Sequence, residues 1–460
     1  MSKNLCWKAI LALPILLSFT LGGATLLTSA REQVAQRHGT ISGTYLAQHS
    51  ASTVNPQRVY NRVWEIIKDE YYDQEYNHQD WDRWKKRYEG KLKTLDDSHK
   101  AIETMLASLG DRYTRFLDRD AFDDEKAQID ARLCGVGIQI GMDKSQRIIV
   151  IAPIDDTPAS HAGVLPGDEI AEVDGKSTKG MSVDEAAKII KGPKNTEVEL
   201  TLVRKTEKVK LKMVRDEIHI HSIPTAKMLD SEVGYIRLTS FISHDANKEM
   251  QQALSNLSNA KGIILDLRDN PGGLLTNAIE ISNMFLDSRS NIVSTVDKDG
   301  YKTPAMSDGK PVTHQALIVL INKGSASASE IASGALKDNG RATLIGQKSF
   351  GKGLVQGITR LEDGSGVNYT IARYLTPSDT DIHNKGIAPD VVVDLSSKDY
   401  EEGKGPWWLD PDGPSAVRKP EDMKDLQLKK AVDVLHQQLQ DKKVALGKAQ
   451  GANNPSSLRN

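Results

Sequence analysis

The sequence predicts an α/β chain, α+β overall once an additional β-rich module and an N-terminal helical region are counted. Three observations predict it. Ile263 to Leu267 (IILDL) and Ala316 to Ile321 (ALIVLI) read as buried strands, each followed by helical patterning, over Leu275 to Leu286 and from Glu330 to Lys337. Val59, Val63, Ile66 and Ile67 recur at helical spacing beside Tyr60 and Trp64, and Ala101, Met105 and Leu106 repeat the pattern. Between these regions, Leu133 to Arg204 is broken by glycine and proline turns around one capped helix.

The 460 residues, 38% hydrophobic and 27% charged, suffice for several cores. A net charge of −2 implies neither nucleic acid nor an anionic surface as partner. Lys3 and Lys8 precede an apolar run from Ala9 to Leu27 that closes on Thr28-Ser29-Ala30, which reads as a secretory signal over residues 1–30 cleaved after Ala30. The run approaches the length of a membrane span, so an uncleaved anchor is the second reading. Either places the body outside the cytoplasm, secreted across the inner membrane into a periplasm or cell envelope. Cys6 belongs to the signal and Cys134 stands alone, so no intramolecular disulfide is expected after cleavage. No His/Cys/Asp cluster suggests a metal, and no cofactor is expected.

Residues 31–55 are polar and irregular, a linker, and residues 56–126 form the helical region. It ends in Asp111-Arg112-Tyr113-Thr114-Arg115-Phe116, to which packing is the role assigned. Residues 127–208 make the β-rich module, with Gly135-Val136-Gly137-Ile138, Leu165-Pro166-Gly167-Asp168, and a capping box, Ser182-Val183-Asp184-Glu185, opening a helix that stops at Lys191-Gly192-Pro193. Val209 to Pro224 leads back into the body, residues 209–400. Residues 401–446 link to an amphipathic helix marked by Leu428, Val432, Leu435 and Leu439, and residues 447–460 read as a disordered tail.

The chemistry points to Gly324-Ser325-Ala326-Ser327-Ala328-Ser329-Glu330. Ser327 falls between a buried strand and a helix start, where free N–H groups and the helix dipole face developing negative charge. A serine needs a base, and no histidine occupies a comparable position. His219 and His221 alternate with Ile218 and Ile220 like the polar face of a strand, and His314 and His383 lie in polar loops, all read as solvated. Lys352, flanked by Gly351 and Gly353, is the better candidate, provided burial neutralises it, which costs roughly 4 to 5 kcal/mol. On a strand, 352, 354 and 356 share a face, so Gln356 is placed to orient the amine. Asn270-Pro271-Gly272-Gly273 supplies a turn through which a backbone donor approaches a ligand.

A phosphate-binding loop is the rival for Gly346 to Lys352. It fails where Gly353 replaces the Ser or Thr that holds magnesium, and where Leu354 to Ile358 reads as a strand instead of a helix.

On SASASE, SFGKGLVQ (Ser349 to Gln356) and DLRDNPGG (Asp266 to Gly273), the chain resembles the carboxy-terminal processing peptidases, or tail-specific proteases. DRYTRF and two further segments, Tyr374 to Ser378 and Lys385 to Asp390, extend the likeness, although Asp379-Thr380-Asp381 stands where the family often has Gly-Arg, and Asn195 where it often has glycine. The resemblance implies a ClpP/crotonase-like catalytic core with an inserted PDZ domain. It implies Ser327 as nucleophile, Lys352 as general base, Gln356 as its positioner, and an oxyanion hole from the N–H groups of Gly273 and Ala328. Gly135, Val136, Gly137 and Ile138 would be the PDZ peptide-binding loop, which presents N–H groups to a terminal carboxylate. The implied activity is serine endopeptidase cleavage near the C-termini of protein substrates with apolar tails, with a homodimer and an adaptor or activator protein as further partners. The alternative is a catalytically inactive PDZ scaffold that binds C-terminal peptides.

Overall fold

The computed structural model describes residues 54–452 apart from 130–131, 144, 155–156, 220, 288, 409–420 and 422. The expected signal or anchor, most of the linker and residues 453–460 lie outside the described residues, and among those described no helix is long and apolar enough to cross a membrane.

The body is built on a six-stranded sheet ordered Thr225–Met228, Val233–Arg237, Gly262–Asp266, Ala316–Ile321, Thr343–Gly346 and Val391–Val392. Only the first pair is antiparallel. Parallel strands need crossover helices, which cover both faces and make the strands apolar throughout. The two apolar runs show it: Ile263, Leu265, Leu317, Val319 and Ile321 pack with helices Ala246–Asn256, Leu275–Asn283 and Ala328–Asp338. The alternate residues Ile264, Ile318 and Leu320 face Leu428, Ala431, Val432, Leu435 and Leu439 of helix Leu426–Ala452. Residue-by-residue alternation thus assigns each side chain to one of two cores.

That C-terminal helix is clamped at its start by the buried guanidinium of Arg268. Its Nε donates to Asp266 Oδ1 (2.9 Å), Nη2 to Asp266 Oδ2 (2.6 Å) and Asp425 Oδ2 (2.8 Å), and Nη1 to Asp425 Oδ1 (2.9 Å) and Gln427 Oε1 (3.1 Å). All five N–H donors are satisfied. The helix continues to Ala452, past the expected onset of the tail at Gly447.

A second, five-stranded sheet contains Arg115–Leu117, Gly366–Leu375, Asn291–Asp297 and Lys302–Met306, with Leu354–Arg360 also pairing to Gly366–Leu375. It joins the N-terminal region to the body. Helices Pro56–Glu70, Trp81–Tyr88 and Leu95–Ala107 share one core with Leu361, Val367 and Tyr369. Asn55 caps the first helix, and Thr94 and Asp97 form a capping box on the third.

The inserted module is a β-sheet running Ile138–Met142, Ile148–Pro153, Glu169–Val173, Glu197–Arg204, Glu207–Val214, with Lys176–Ser177 beside the third and helix Val183–Ile190 packed on it. The neck is a two-stranded ribbon, Arg132–Gly135 against Asp216–His219. This corrects the boundary at 208: Glu207–Val214 is the last strand of the module, in full register with Glu197–Arg204. Its alternation of Lys208, Lys210 and Lys212 with Val209, Leu211 and Met213 is that of a half-buried antiparallel strand.

Breaking the clamp leaves a buried cation short of partners, so Asp425→Ala should destabilise the protein by about 3 kcal/mol in urea unfolding. A loss under about 0.5 kcal/mol would show that the clamp does not hold the helix.

Candidate functional site

Strand Ala316–Ile321 ends at the carboxyl edge of the parallel sheet, where open α/β sheets present their sites. The chain then turns through Asn322 to Ala326 into helix Ala328–Asp338, with Ser327 as the capping residue. Its backbone has φ 55° and ψ −116°, a costly conformation for a residue with a Cβ. Ser327 is fully buried, and among the described residues its Oγ has no hydrogen-bond partner.

The three motifs meet around this turn. Asn270 is the link to the glycine turn: its carbonyl accepts from Ala326 N (3.0 Å) and Ser329 Oγ (2.8 Å), and its Oδ1 accepts from Gly272 N (2.9 Å). Gly272 lies so close that an added Cβ would sit 2.8 Å from Ser327 Cβ and 2.6 Å from Ala326 O, so only glycine fits. Phe241 bridges to Gly273 by bonding Gly272 O (2.8 Å) and Leu274 N (3.0 Å). In such a parallel bridge the N–H of Gly273 itself turns away from Phe241. The N–H of Ala328 opens a helix and has no intrahelical acceptor.

The lysine loop is bound to the same turn by one carboxylate. Glu330 Oε2 accepts from Ser327 N (2.9 Å) and Lys352 N (2.8 Å), and Oε1 accepts from Gly351 N (2.7 Å) and Ser349 Oγ (2.5 Å). Burial pushes the Glu330 carboxyl up, against the pull of these four bonds. The Tyr374 hydroxyl adds a second tie, lying against the carbonyls of Ser327 (3.1 Å) and Lys352. The backbones of residues 327 and 352 are therefore joined twice, although the Ser327 Oγ is not hydrogen-bonded to the amine.

Lys352 is 1% exposed, and burial pushes its amine down to about 7, with Arg115 and Arg112 acting in the same direction and Asp111 and Glu125 opposing. Strand Leu354–Arg360 follows, where a phosphate-binding loop would need a helix, so that rival falls. A bulge between Val355 and Gln356 breaks the strict alternation expected from 352 to 356. Gln356 is buried, and its Nε2 donates to Thr370 Oγ1 (3.1 Å).

Two other expectations change. His383 is not simply solvated: its Nδ1 is buried without a hydrogen-bond partner among the described residues, its ring meets Tyr113 edge-on at 6.3 Å, and burial pushes its pKa down. His314 is exposed as expected. DRYTRF packs against the site itself, with the Lys352 Nζ 4.7 Å from the centre of the Tyr113 ring. Neither Glu330, Tyr374 nor Tyr113 was singled out by sequence. The acidic residue three positions after Ser327 was the available signal for Glu330.

In the inserted module, Gly135 ends the ribbon, and Val136 is buried with its carbonyl accepting from Ala159 N (2.8 Å). Gly137 has φ 78°, and a Cβ there would fall 2.4 Å from Thr157, so this position requires glycine. Ile138 then starts strand Ile138–Met142, which forms the sheet edge beside helix Val183–Ile190. Ile138, Ile140, Val183 and Ile189 are partly buried against the module's core, and the outer edge of Ile138–Met142 pairs with no strand among the described residues.

Residues 232–393 match the profile of Peptidase family S41, residues 149–204 that of the PDZ domain, and residues 54–106 that of the Tricorn protease C1 domain. The carboxyl-terminal-processing protease of Synechocystis sp. (strain ATCC 27184 / PCC 6803 / Kazusa) is 40% identical over 359 residues, 76% of this chain and 84% of that protein. The carboxy-terminal processing protease CtpA of Bacillus subtilis (strain 168) is 37% identical over 360 residues, 77% of this chain and 72% of that protein. Among solved structures, the photosystem II D1 C-terminal processing protease is similar at a TM-score of 0.52 and 32% identity, over 74% of this chain and 94% of that one. With its peptidase core, its PDZ domain and this degree of identity, the chain belongs to the carboxyl-terminal-processing proteases, serine-type peptidases of family S41.

Proposed function

We propose that the protein is an endopeptidase that seats the apolar C-terminal tail of a protein substrate on its PDZ strand edge and cuts near that end with a Ser327–Lys352 dyad. The observation that carries this is that Lys352 is buried with its amine pushed down to about 7, while its backbone N–H shares the Glu330 carboxylate with the backbone N–H of Ser327. An amine of that basicity is half neutral near pH 7 and can take the serine proton. Ser327 Oγ then attacks the scissile carbonyl, and the N–H groups of Gly273 and Ala328 receive the oxyanion. The lysine ammonium returns the proton to the departing amine. Water attacks the acyl-enzyme with the same amine as base. The Oγ-to-amine hydrogen bond that this needs is one that free enzymes often hold loosely and tighten with substrate. Gln356 is read as the positioner of the amine.

The tail would add as a strand beside Ile138–Met142, its carboxylate at the N–H groups of Gly135 to Ile138 and its apolar side chains against Ile140 and Val183. The basic-then-apolar segment over residues 1–30 supports action outside the cytoplasm, in the periplasm or cell envelope. A homodimer working with an adaptor or activator protein completes the proposal.

Below its pKa the lysine is an ammonium and cannot accept a proton, so kcat/KM should fall as pH drops through about 7. Lys352→Arg should be inactive at every pH, because guanidinium stays protonated; turnover by that variant would assign the base elsewhere. Lys352→Met should be inactive but more stable at neutral pH by about 1 to 4 kcal/mol. The folded pKa lies below the unfolded one, so the unfolded chain binds more protons between about 7 and 10.5, and wild-type stability rises with pH across that window. The gain of the Met variant should therefore be largest at and below pH 7 and fade toward pH 10.5.

Ser327→Ala should bind an apolar-tailed peptide as tightly as wild type but not cleave it, and amidating the peptide terminus should weaken binding about tenfold or more. Equal binding of the acid and the amide would remove the carboxylate loop from the proposal.

A further inference from the structure

We propose that Tyr113 and Asp111, contributed by the N-terminal region, are positioning residues for Lys352 and Gln356, so that the catalytic centre is complete only with that region docked. The inference rests on reading Lys352 as the base.

Tyr113 forms one wall for the amine. Its ring face lies 4.7 Å from the Nζ and is 6% exposed. The ring is held from several sides. The Arg112 guanidinium lies over it at 4.8 Å and over Phe350 at 5.5 Å, Arg112 Nη2 donates to the Tyr113 hydroxyl (2.7 Å), and His383 abuts its edge. An aromatic face attracts an ammonium without supplying a competing proton acceptor. It therefore restricts where the Nζ goes without itself competing for the lone pair of the neutral amine.

Asp111 acts through hydrogen-bond polarity. Its Oδ1 accepts from Tyr113 N (2.9 Å), and its Oδ2 accepts from Thr114 Oγ1 (2.7 Å) and Thr370 Oγ1 (2.6 Å). A carboxylate only accepts, so the single hydroxyl proton of Thr370 is committed to Asp111. What Thr370 Oγ1 has left is a lone pair, which the Gln356 NH2 meets at 3.1 Å. The polarity of the chain thereby decides the amide orientation: Gln356 gives its NH2 to Thr370 and turns its carbonyl oxygen the other way, as an acceptor for a lysine N–H. Reversing one bond would reverse the amide and oppose two donors.

Asp111 also supports the basicity of the amine. Burial with Arg115 and Arg112 weakens it, while Asp111 and Glu125 strengthen it, and His383 meets the Tyr113 ring edge-on. A desolvated lysine with neither carboxylate nor ring beside it would be too weak a base near neutrality.

The test is the pH profile of kcat/KM and kcat on an apolar-tailed protein substrate, with full-length Asp111→Asn, Tyr113→Leu, Tyr113→Phe and Lys352→Ala. We expect Asp111→Asn and Tyr113→Leu each to move the acid limb to lower pH by about half a unit or more and to lower the plateau kcat about tenfold, with tail binding to the PDZ domain unchanged. Tyr113→Phe keeps the ring and should stay within about threefold of wild type on the wild-type limb. If Asp111→Asn does not fold, the contrast between Tyr113→Leu and Tyr113→Phe decides. Wild-type limb and plateau in Asp111→Asn and Tyr113→Leu, with Lys352→Ala inactive, would overturn this inference alone. Activity of Lys352→Ala would overturn the reading of the base beneath it.

Discussion

Four hydrogen bonds to the Glu330 carboxylate hold the site together. One oxygen takes the backbone N–H groups of Ser327 and Lys352, and the other takes Gly351 N and Ser349 Oγ. A serine at a strained turn and a lysine on a glycine loop have no intrinsic reason to meet. A buried acceptor that needs donors from both makes their meeting the condition under which its desolvation is offset. The neighbouring loop is drawn in too, since Ser349 Oγ accepts from Ile387 N (2.7 Å) and Gly351 O accepts from Asn384 N (2.8 Å).

Around this joint the fold supplies rigidity in layers. The parallel sheet brings Gly262–Asp266 and Ala316–Ile321 side by side, so the glycine turn after the first and the serine turn after the second emerge at one edge. Asn270 staples the two turns, and Arg268, two residues earlier, clamps the C-terminal helix to the opposite face. The second sheet does the same for the lysine: Gln356 pairs in register with Thr370, and Arg115–Leu117 pairs with Gly366–Leu375, bringing the N-terminal region against the amine. The Lys352 amine consequently lies beside Tyr113 of the N-terminal region, while the backbone of Lys352 is held by Glu330 and Tyr374.

Local pattern was enough to bring Ser327, Lys352 and the glycine turn forward as parts of one place in the fold, because each is marked within a few residues: a strand-to-helix junction, flanking glycines, an Asn-Pro-Gly-Gly turn. The Gly135 to Gly137 turn and the capped helix of the PDZ domain were legible for the same reason. Glu330 was not, since an acid in the first turn of a helix ordinarily serves only the helix start, and three of its four donors come from residues 349–352. Asp111 and Tyr113 lie some 240 positions from Lys352, a proximity that no periodicity encodes. The strand Glu207–Val214 carried a clear alternation but was cut by the boundary at 208, because its partner strand, not its own pattern, makes it part of the module. The tail beyond Gly447 reads as disorder because glycine is a poor helix residue, yet the docked helix carries on to Ala452.

The most direct test of this account is the kcat of Glu330→Gln, measured beside its thermal stability and its binding of a tail peptide. A carboxamide has one acceptor oxygen where the carboxylate has two, and its NH2 would face the Gly351 N–H. The account predicts a loss of about a hundredfold or more in kcat with tail binding intact. Turnover close to wild type in a folded Glu330→Gln protein would contradict it.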